Sequence, residues 1–147
     1  MIVWLIVAQC VATWYMVGVI WMVQLVHYPL MARVGSEQFV EYERQHVDQM
    51  GIVVVPAMLI ELLTAVWLAV SMGSRSGGVY WWGLGLVGLI WASTFLIQVP
   101  LHDQLSNAFD VAAHGRLVLS NWLRTVTWTA RGAIVAWELS QYISHSQ

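Results

Sequence analysis

Histidine and carboxylate side chains stand at the ends of long apolar stretches in this sequence. His27 and His102 lie near the ends of two such stretches, and Glu43 and His46 precede a third with Glu-x-x-His spacing. That spacing lets a carboxylate and an imidazole from adjacent helical turns reach one ion. Asp103, beside His102, is a further candidate ligand. Because mixed imidazole and carboxylate ligands suit iron, zinc or manganese better than copper(I), these five residues predict a metal site.

The composition places that site in a membrane. The 147 residues are 59% hydrophobic, with a mean hydropathy of +0.67, and only 10% are charged. Soluble domains are about 25% charged, so the chain is predicted to be an integral membrane protein. A net charge of -2 gives no electrostatic footprint for nucleic acid, which excludes that class of partner. The single cysteine, Cys10, can close no disulfide within the chain and is assigned to packing.

Hydropathy predicts an all-α fold, a four-transmembrane-helix up-down bundle in one domain of residues 1–147. About 20 mostly apolar residues cross the hydrocarbon, and four stretches satisfy this rule, at about 2–28, 50–72, 79–101 and 117–139. The first has neither a basic leader nor a small-residue cleavage site, which predicts a retained helix. Pro29 and Pro100 are expected to end the first and third spans. Ser36 is predicted as the N-cap of a polar helical segment that runs into the second span.

Four crossings would place both termini and the Gly- and Ser-rich turn at Ser71–Gly78 on one side of the membrane. Arg33, Arg44 and Arg116 would lie on the other side, and Arg75 alone on the side of the termini. The positive-inside rule then predicts cytoplasmic long connections and termini outside.

Two charged residues should lie near the middle of the bilayer. Glu61 is about 10 residues into the second span, and Arg131 is about 14 residues into the fourth from the same side, at 1.5 Å per residue. Two unpaired charges at that depth would each cost at least about 2.5 kcal/mol. A structural ion pair between Glu61 and Arg131 is therefore predicted.

The histidines, by contrast, should share one membrane face with the start of the fourth span. Asn121 and Arg124 lie there, and Arg124 is interpreted either as a partner for Asp103 or Glu43 or as the anchor of an anionic substrate group. An apolar cavity beside the metal would suit oxidation of a lipophilic small molecule. Its predicted walls are Trp91, Trp122 and Trp128.

Other interpretations of the same residues stay open. His27 and His102 could serve as interhelical hydrogen-bonding groups, which are common in membrane bundles, or as two axial ligands of a haem. His46 could sit on a solvated helix face, and His114, in a connection, is expected to be exposed. The glycines of Gly83–Gly88 match a dinucleotide-binding spacing, but they continue into an apolar helix and are assigned to close helix contact.

Four segments together resemble a widespread group of small bacterial four-helix membrane proteins. They are QLVHYPL at 24–30, PAMLIEL at 56–62, QVPLHDQL at 98–105 and NWLRTVTWTAR at 121–131. The Asn-Trp-x-Arg-Thr start of the last segment is also similar to the Asn-x-x-Arg element of anthrone-oxygenase-like membrane proteins. The resemblance implies a four-helix fold in a bacterial inner membrane, oxidation of an aromatic or other lipophilic substrate, and Asn121 and Arg124 as candidate site residues.

The sequence thus predicts a membrane-embedded, metal-dependent oxidoreductase acting on a small lipophilic or aromatic substrate. The alternatives are a haem-binding membrane protein, or a non-enzymatic accessory subunit or small transporter whose polar layer binds a partner or relays protons. Because the predicted connections are short, a homo-oligomer or a membrane partner protein would meet the bundle through its lipid-facing surface.

Overall fold

The computed structural model describes residues 2–73 and 78–145, and within those ranges the chain is helical with no strand. Four helices make up this part of the chain: α1 (Ile2–Met31), α2 (Ser36–Met72), α3 (Val79–Leu105) and α4 (Val111–His145). Arg75 and half of the predicted turn at Ser71–Gly78, residues 74–77, lie outside the described residues. The all-helical prediction is confirmed for the described ranges.

Helices α1, α2 and α3 are long and apolar enough to cross a membrane. Large apolar side chains point away from the bundle, with Ile52 77% exposed and Leu96 76% exposed, which is consistent with an integral membrane protein. Helix α4 does not reach the same apolar content, although a span was predicted at 117–139. Polar residues along one side of α4, among them Asn121, Arg124 and Arg131, lower its mean hydropathy. All three are buried against the other helices.

Two helices continue past the prolines that were expected to end them. In α1 a π-helical turn occupies Val23–His27, and the helix runs through Pro29 to Met31. In α3 a π-helical turn occupies Thr94–Gln98, and the helix runs through Pro100 to Leu105. Proline lacks an N–H and its ring clashes with the carbonyl four residues earlier in a regular α-helix, and the wider turn accommodates both defects. The two prolines therefore do not end these helices, which continue to Met31 and Leu105.

Helix α2 begins at Ser36, and its N-cap is Gly35 rather than the predicted Ser36. The helix then continues without a break through Pro56. Glu43 and Glu61 consequently lie on one helix, and both are completely buried in the bundle. Long apolar helices tolerate an internal proline because neighbouring helices satisfy the freed backbone groups.

Each of the four helices packs against two neighbours. Helices α2 and α4 each pack against both α1 and α3. Buried apolar residues form three layers along the bundle: Phe39 and Leu105 belong to the layer at the long connections, Met58 and Trp128 to the middle layer, and Leu68 to the layer near the termini. The polar residues of interest lie between and beside these layers.

Among the glycines of the Gly83–Gly88 segment, Gly83 makes the close helix contact that was predicted. A Cβ added at Gly83 would lie 3.1 Å from Nη1 of Arg131, and the same atom donates a 2.7 Å hydrogen bond to the Gly83 carbonyl. Gly85 and Gly88 have open space around the Cβ position. Gly83 therefore lets α4 approach α3 closely enough for Arg131 to reach its backbone.

Candidate functional site

Side chains from α1, α2 and α3 form a hydrogen-bonded group near the ends of these helices. His27 Nε2 lies 2.8 Å from His46 Nδ1, Tyr28 Oη lies 3.0 Å from His102 Nε2, and His102 Nδ1 lies 2.5 Å from Glu43 Oε1. The rings of His46 and His102 are 5.3 Å apart between centroids, which joins the two parts. We call these five residues the histidine cluster.

The local structure of each helix explains why these side chains meet. On α2, Glu43 and His46 are three residues apart, so they lie on one face of the helix. On α1, the π-helical turn takes in one more residue than a regular turn, which changes the direction of the side chains that follow it. Tyr28 enters the core with 2% exposure, and the ring of His27 stacks beside His46 at 4.4 Å between centroids.

The structure brings together four of the five residues predicted as metal ligands: His27, His46, His102 and Glu43. Asp103 is exposed, and among the described residues it makes no ion pair or side-chain hydrogen bond with the histidine cluster. Sequence reasoning missed Tyr28, because an aromatic residue at the end of an apolar span is typical of an interface anchor. The available signal was its position four residues after Gln24, since residues four apart share a helix face.

The donor types of the histidine cluster suit zinc, iron or manganese, but its geometry is that of paired hydrogen bonds. His27 bonds to His46 and His102 bonds to Glu43, so these ring nitrogens already have protein partners. Within the described residues, no group of three or more His, Cys, Asp or Glu side chains is arranged to hold a metal ion. A metal would have to displace these hydrogen bonds.

A haem between His27 and His102 requires the two rings to face each other across an open gap. Here the ring of His46 stands close to both, at 4.4 Å from His27 and 5.3 Å from His102 between centroids. Bis-histidine haem ligation is therefore not what this arrangement supports.

A cavity of about 390 Å³ lies directly against the histidine cluster. Its volume falls within the range of small-molecule sites, about 300–1,000 Å³. Apolar residues of α1, α2 and α3 form most of its wall. They include Met16, Val19, Ile20, Met50, Val54, Met58, Trp91 and Phe95. Tyr28, His46 and His102 line the same cavity, so the polar cluster forms one end of an otherwise apolar space.

A second, smaller pocket of about 170 Å³ lies against the same cluster. His27 and His46 line it together with Tyr42, Gln45 and Gln49 from the polar part of α2. His46 therefore lines both pockets, and its ring is part of the wall of each.

Buried polar residues of α4 lie next to this cavity. Asn121 Nδ2 donates a 2.9 Å hydrogen bond to Gln24 Oε1, and its own Oδ1 accepts one from Arg124 Nη1 at 3.3 Å. Asn121 is completely buried, and Arg124 lines the cavity. The guanidinium also lies 5.1 Å above the ring of Trp128, within the range of a cation–π contact. Asn121 is thus placed to position Arg124.

Neither acid proposed as a partner for Arg124 pairs with it. Among the described residues the ion pairs are Glu43 with His102 and Glu61 with Arg131. Nε of Arg124 is buried and makes no hydrogen bond. Arg124 is a buried cation without a carboxylate partner in the part of the chain that the structure describes.

In the second polar layer, deeper in the bundle, both carboxylate oxygens of Glu61 accept hydrogen bonds. Arg131 Nε and the Thr13 hydroxyl each donate to Glu61 Oε1 at 2.7 Å, and Trp128 Nε1 donates to Oε2 at 3.0 Å. The structure therefore brings Glu61 and Arg131 together as a buried ion pair held by neighbours on α1 and α4.

The expectations for three individual residues, His114, Trp122 and Trp128, were wrong. His114 is buried rather than exposed, because its Nε2 lies 2.9 Å from the backbone oxygen of Tyr28. Trp122 does not line the cavity; it packs edge-on against Trp21 on the outer surface. Trp128 lies behind the cavity wall in the middle core layer, and Trp91 alone of the three predicted tryptophans lines the cavity.

Comparison with known proteins adds no family assignment. No family model matches the chain, and no curated protein or solved structure is significantly similar to it.

Proposed function

We propose that this chain is a four-transmembrane-helix up-down bundle, with α4 as its fourth crossing, in a bacterial inner membrane. The polar residues that lower the hydropathy of α4 are buried, whereas Leu119 and Val126 on its outer side are exposed. Such a helix can cross a bilayer because its polar groups face the bundle interior. Arg33, Arg44 and Arg116 near the long connections favour termini on the outer side.

We further propose that the protein is an oxidoreductase acting on a small lipophilic molecule held in the 390 Å³ cavity. The observation that carries this proposal is that His46, His102 and Tyr28 belong at once to the histidine cluster and to the wall of an apolar cavity. A lipophilic molecule in that cavity would meet groups able to accept or donate a proton at one end only. Dioxygen is the oxidant in this proposal: oxidation of a hydroxyl to a carbonyl would pass two electrons and two protons to it and give hydrogen peroxide, and imidazole suits the transfer of a proton from the hydroxyl.

Arg124 and Asn121 have a positioning role in this proposal. Arg124 lines the cavity beside the cluster, and Asn121 holds it through one hydrogen bond while bonding to Gln24. A polar group of the bound molecule would be held by Arg124, which orients the rest of the molecule along the apolar wall. Fixed orientation of the reacting group is a major part of catalysis.

A metal-dependent form of the same activity is the second candidate. One observation favours it: Oε2 of Glu43 is completely buried and has no hydrogen-bond partner. A cation at that oxygen would satisfy it, with His27, His46 and His102 as the available further ligands. The metal would supply electron transfer. The hydrogen bonds of His27 with His46 and of His102 with Glu43 argue against a bound metal. The proton-transfer role proposed for the histidine cluster needs no metal.

The binding half of the proposal is tested by filling the cavity. Gly51 lines the cavity and has open space at its Cβ position, so Gly51→Trp should block the site without backbone clash. Gly88→Trp on the exposed side of α3 is the matched control. Protein is purified in detergent, and bound small molecules are extracted and identified by mass spectrometry. Wild type and Gly88→Trp should carry the same lipophilic molecule, and Gly51→Trp should lose it.

The redox half is tested with that recovered molecule. It is incubated under air with wild type and with a His46→Leu, His102→Leu variant. The oxidoreductase proposal predicts that only wild type yields a product two hydrogens lighter, with hydrogen peroxide, or a product in which one oxygen has replaced two hydrogens, with water. A bound molecule that neither protein changes would make the chain a binding or transport protein. A protein that retains no small molecule would favour an accessory subunit.

The metal is tested separately by elemental analysis of purified wild type and of the His27→Ala, His102→Ala variant. The metal-dependent form predicts stoichiometric iron, zinc or manganese in wild type and loss of that metal in the variant. Equal metal content in the two proteins would remove these histidines as ligands.

A further inference from the structure

We infer that the molecule in the cavity is a lipophilic anion, with one negatively charged oxygen group held by Arg124. This inference rests on the proposed lipophilic cavity and adds the charge of its ligand. It starts from Arg124 itself, which is 8% exposed, lines the cavity and makes no ion pair within the described residues.

Arg131 provides an internal comparison on the same helix. It is completely buried, its Nε bonds to the Glu61 carboxylate at 2.7 Å, and its Nη1 bonds to the Gly83 carbonyl at 2.7 Å. Its Nη2 makes no hydrogen bond, so the difference from Arg124 lies in the carboxylate partner. Arg124 has a 3.3 Å bond to Asn121, a hydrogen-bond interaction with the Tyr28 side chain and the ring of Trp128 as neutral partners, and its Nε makes no hydrogen bond. A buried cation of this kind is costly unless an anion accompanies it. Nothing in the described part of the chain supplies that anion at ion-pair distance, whereas a ligand in the cavity would.

The acids near the site are otherwise engaged or distant. Glu43 is bound to His102, and Asp103 is exposed at the edge of the cavity without an ion-pair contact to Arg124. Charge complementarity therefore favours a ligand with an acidic group over a neutral one. Arginine suits this task, because its planar guanidinium presents several donors to a carboxylate or phosphate.

The apolar wall of the cavity indicates that the rest of the ligand is apolar. Its wall includes apolar residues of α2 and α3 that are also exposed on the outside of the bundle: Val47, Val55, Phe95 and Val99. These residues mark an opening between the two helices towards the surrounding lipid. A molecule with an apolar tail could enter there from the bilayer and place its acidic end at Arg124.

The test compares one hydrocarbon chain with and without its charge. Dibrominated stearic acid and its methyl ester are titrated into protein in nanodiscs of neutral lipid, and bromine quenching of Trp91 reports occupancy, because Trp91 lines the cavity. A Trp91→Phe variant defines the part of the quenching that comes from this residue. The acid should bind wild type about tenfold or more tightly than the ester, the factor expected from one charge-assisted hydrogen bond.

Arg124→Gln should reduce the affinity for the acid to that for the ester and leave the ester unchanged. Arg124→Lys keeps the charge and should retain part of the preference. Arg116→Gln, an exposed arginine on the same helix, is the matched control and should behave as wild type. Unchanged ester binding shows that each variant is folded. A phospholipid could also supply the anion, and nanodiscs that contain brominated phosphatidylglycerol test this. In that sample, quenching of Trp91 would show that the phospholipid occupies the cavity.

Equal binding of acid and ester by wild type would overturn the inference and leave the lipophilic cavity intact. An equal loss of acid and ester binding in Arg124→Gln would also overturn it. If neither compound quenches Trp91 in wild type, and no molecule co-purifies with the protein, the cavity itself is not a binding site and both proposals fail.

Discussion

The buried pair of Glu61 and Arg131 makes a quantitative prediction about stability. Arg131→Met would leave the Glu61 carboxylate in the core with only Thr13 and Trp128 as donors, and would leave the Gly83 carbonyl without its 2.7 Å donor. Removing one partner of a buried ion pair typically costs about 3–5 kcal/mol, because the remaining charge is uncompensated. We expect a loss of that size in the free energy of unfolding.

The double variant Glu61→Met, Arg131→Met separates the cost of a lone charge from the value of the contact. With both charges removed, the remaining defect is a set of neutral donors and acceptors without partners, each costing about 1–3 kcal/mol at most. Because the double variant buries no lone charge, it should lose less free energy of unfolding than the two single variants lose together. Such non-additivity is the signature of directly interacting residues.

The assay is reversible unfolding from mixed micelles by added dodecyl sulfate, followed by the loss of helical circular dichroism. Arg116→Met, on the exposed surface of the same helix, is the control and should change stability by no more than about 0.5 kcal/mol. The reasoning is refuted if either single variant loses less than about 1 kcal/mol, or if the double variant loses the sum of the two single losses.

Three further predictions use the same unfolding assay. Gly85→Ala should raise stability by up to about 1 kcal/mol through helix propensity, whereas Gly83→Ala should lower it, because the added Cβ would lie 3.1 Å from Arg131 and displace it; equal effects would contradict the close contact. His114→Leu should cost about 1–3 kcal/mol, because it leaves the backbone oxygen of Tyr28 unpaired, and a neutral result would place His114 in solvent after all. Phe39→Ala should cost about 3–5 kcal/mol, because Phe39 is completely buried at the core layer near the long connections; a loss below about 1 kcal/mol would contradict that packing.

The sequence predicted the main features of the fold because they depend on composition and periodicity. Apolar length located the helices, and the all-helical architecture follows from it. What it could not predict was how two helices continue past Pro29 and Pro100, because a π-helical turn depends on the packing of neighbouring side chains. The same limit applies to the start of α2, where backbone geometry rather than a side-chain oxygen sets the cap at Gly35.

The candidate site was predicted in part for a similar reason. Depth along each span was enough to place His27, His46 and His102 in one layer, and the structure joins them with Glu43. Tyr28 was missed, because hydropathy does not reveal which aromatic residue of a span turns inward.

Which residues line a cavity depends on the rotation of each helix about its axis. Trp122 was predicted as part of the cavity wall, but rotation directs it to the outer surface against Trp21. Asp103, predicted as a metal ligand, lines the cavity edge but is exposed and outside the hydrogen bonds of the histidine cluster. Sequence spacing offered Asp103 or Glu43 as the partner of Arg124, whereas in the structure Arg124 bonds to Asn121.

The central claim is that imidazoles from three separate helices converge at the end of the cavity, and a solid-state NMR measurement tests it most directly. Protein labelled with ¹³C and ¹⁵N at histidine is reconstituted in lipid, and contacts between rings are recorded through space. We predict a strong cross-peak between His27 and His46, whose nitrogens are 2.8 Å apart, and a weaker one between His46 and His102. Both should disappear in His46→Leu and persist in His114→Leu. Spectra in which the ring of His46 contacts no other histidine would contradict the claim.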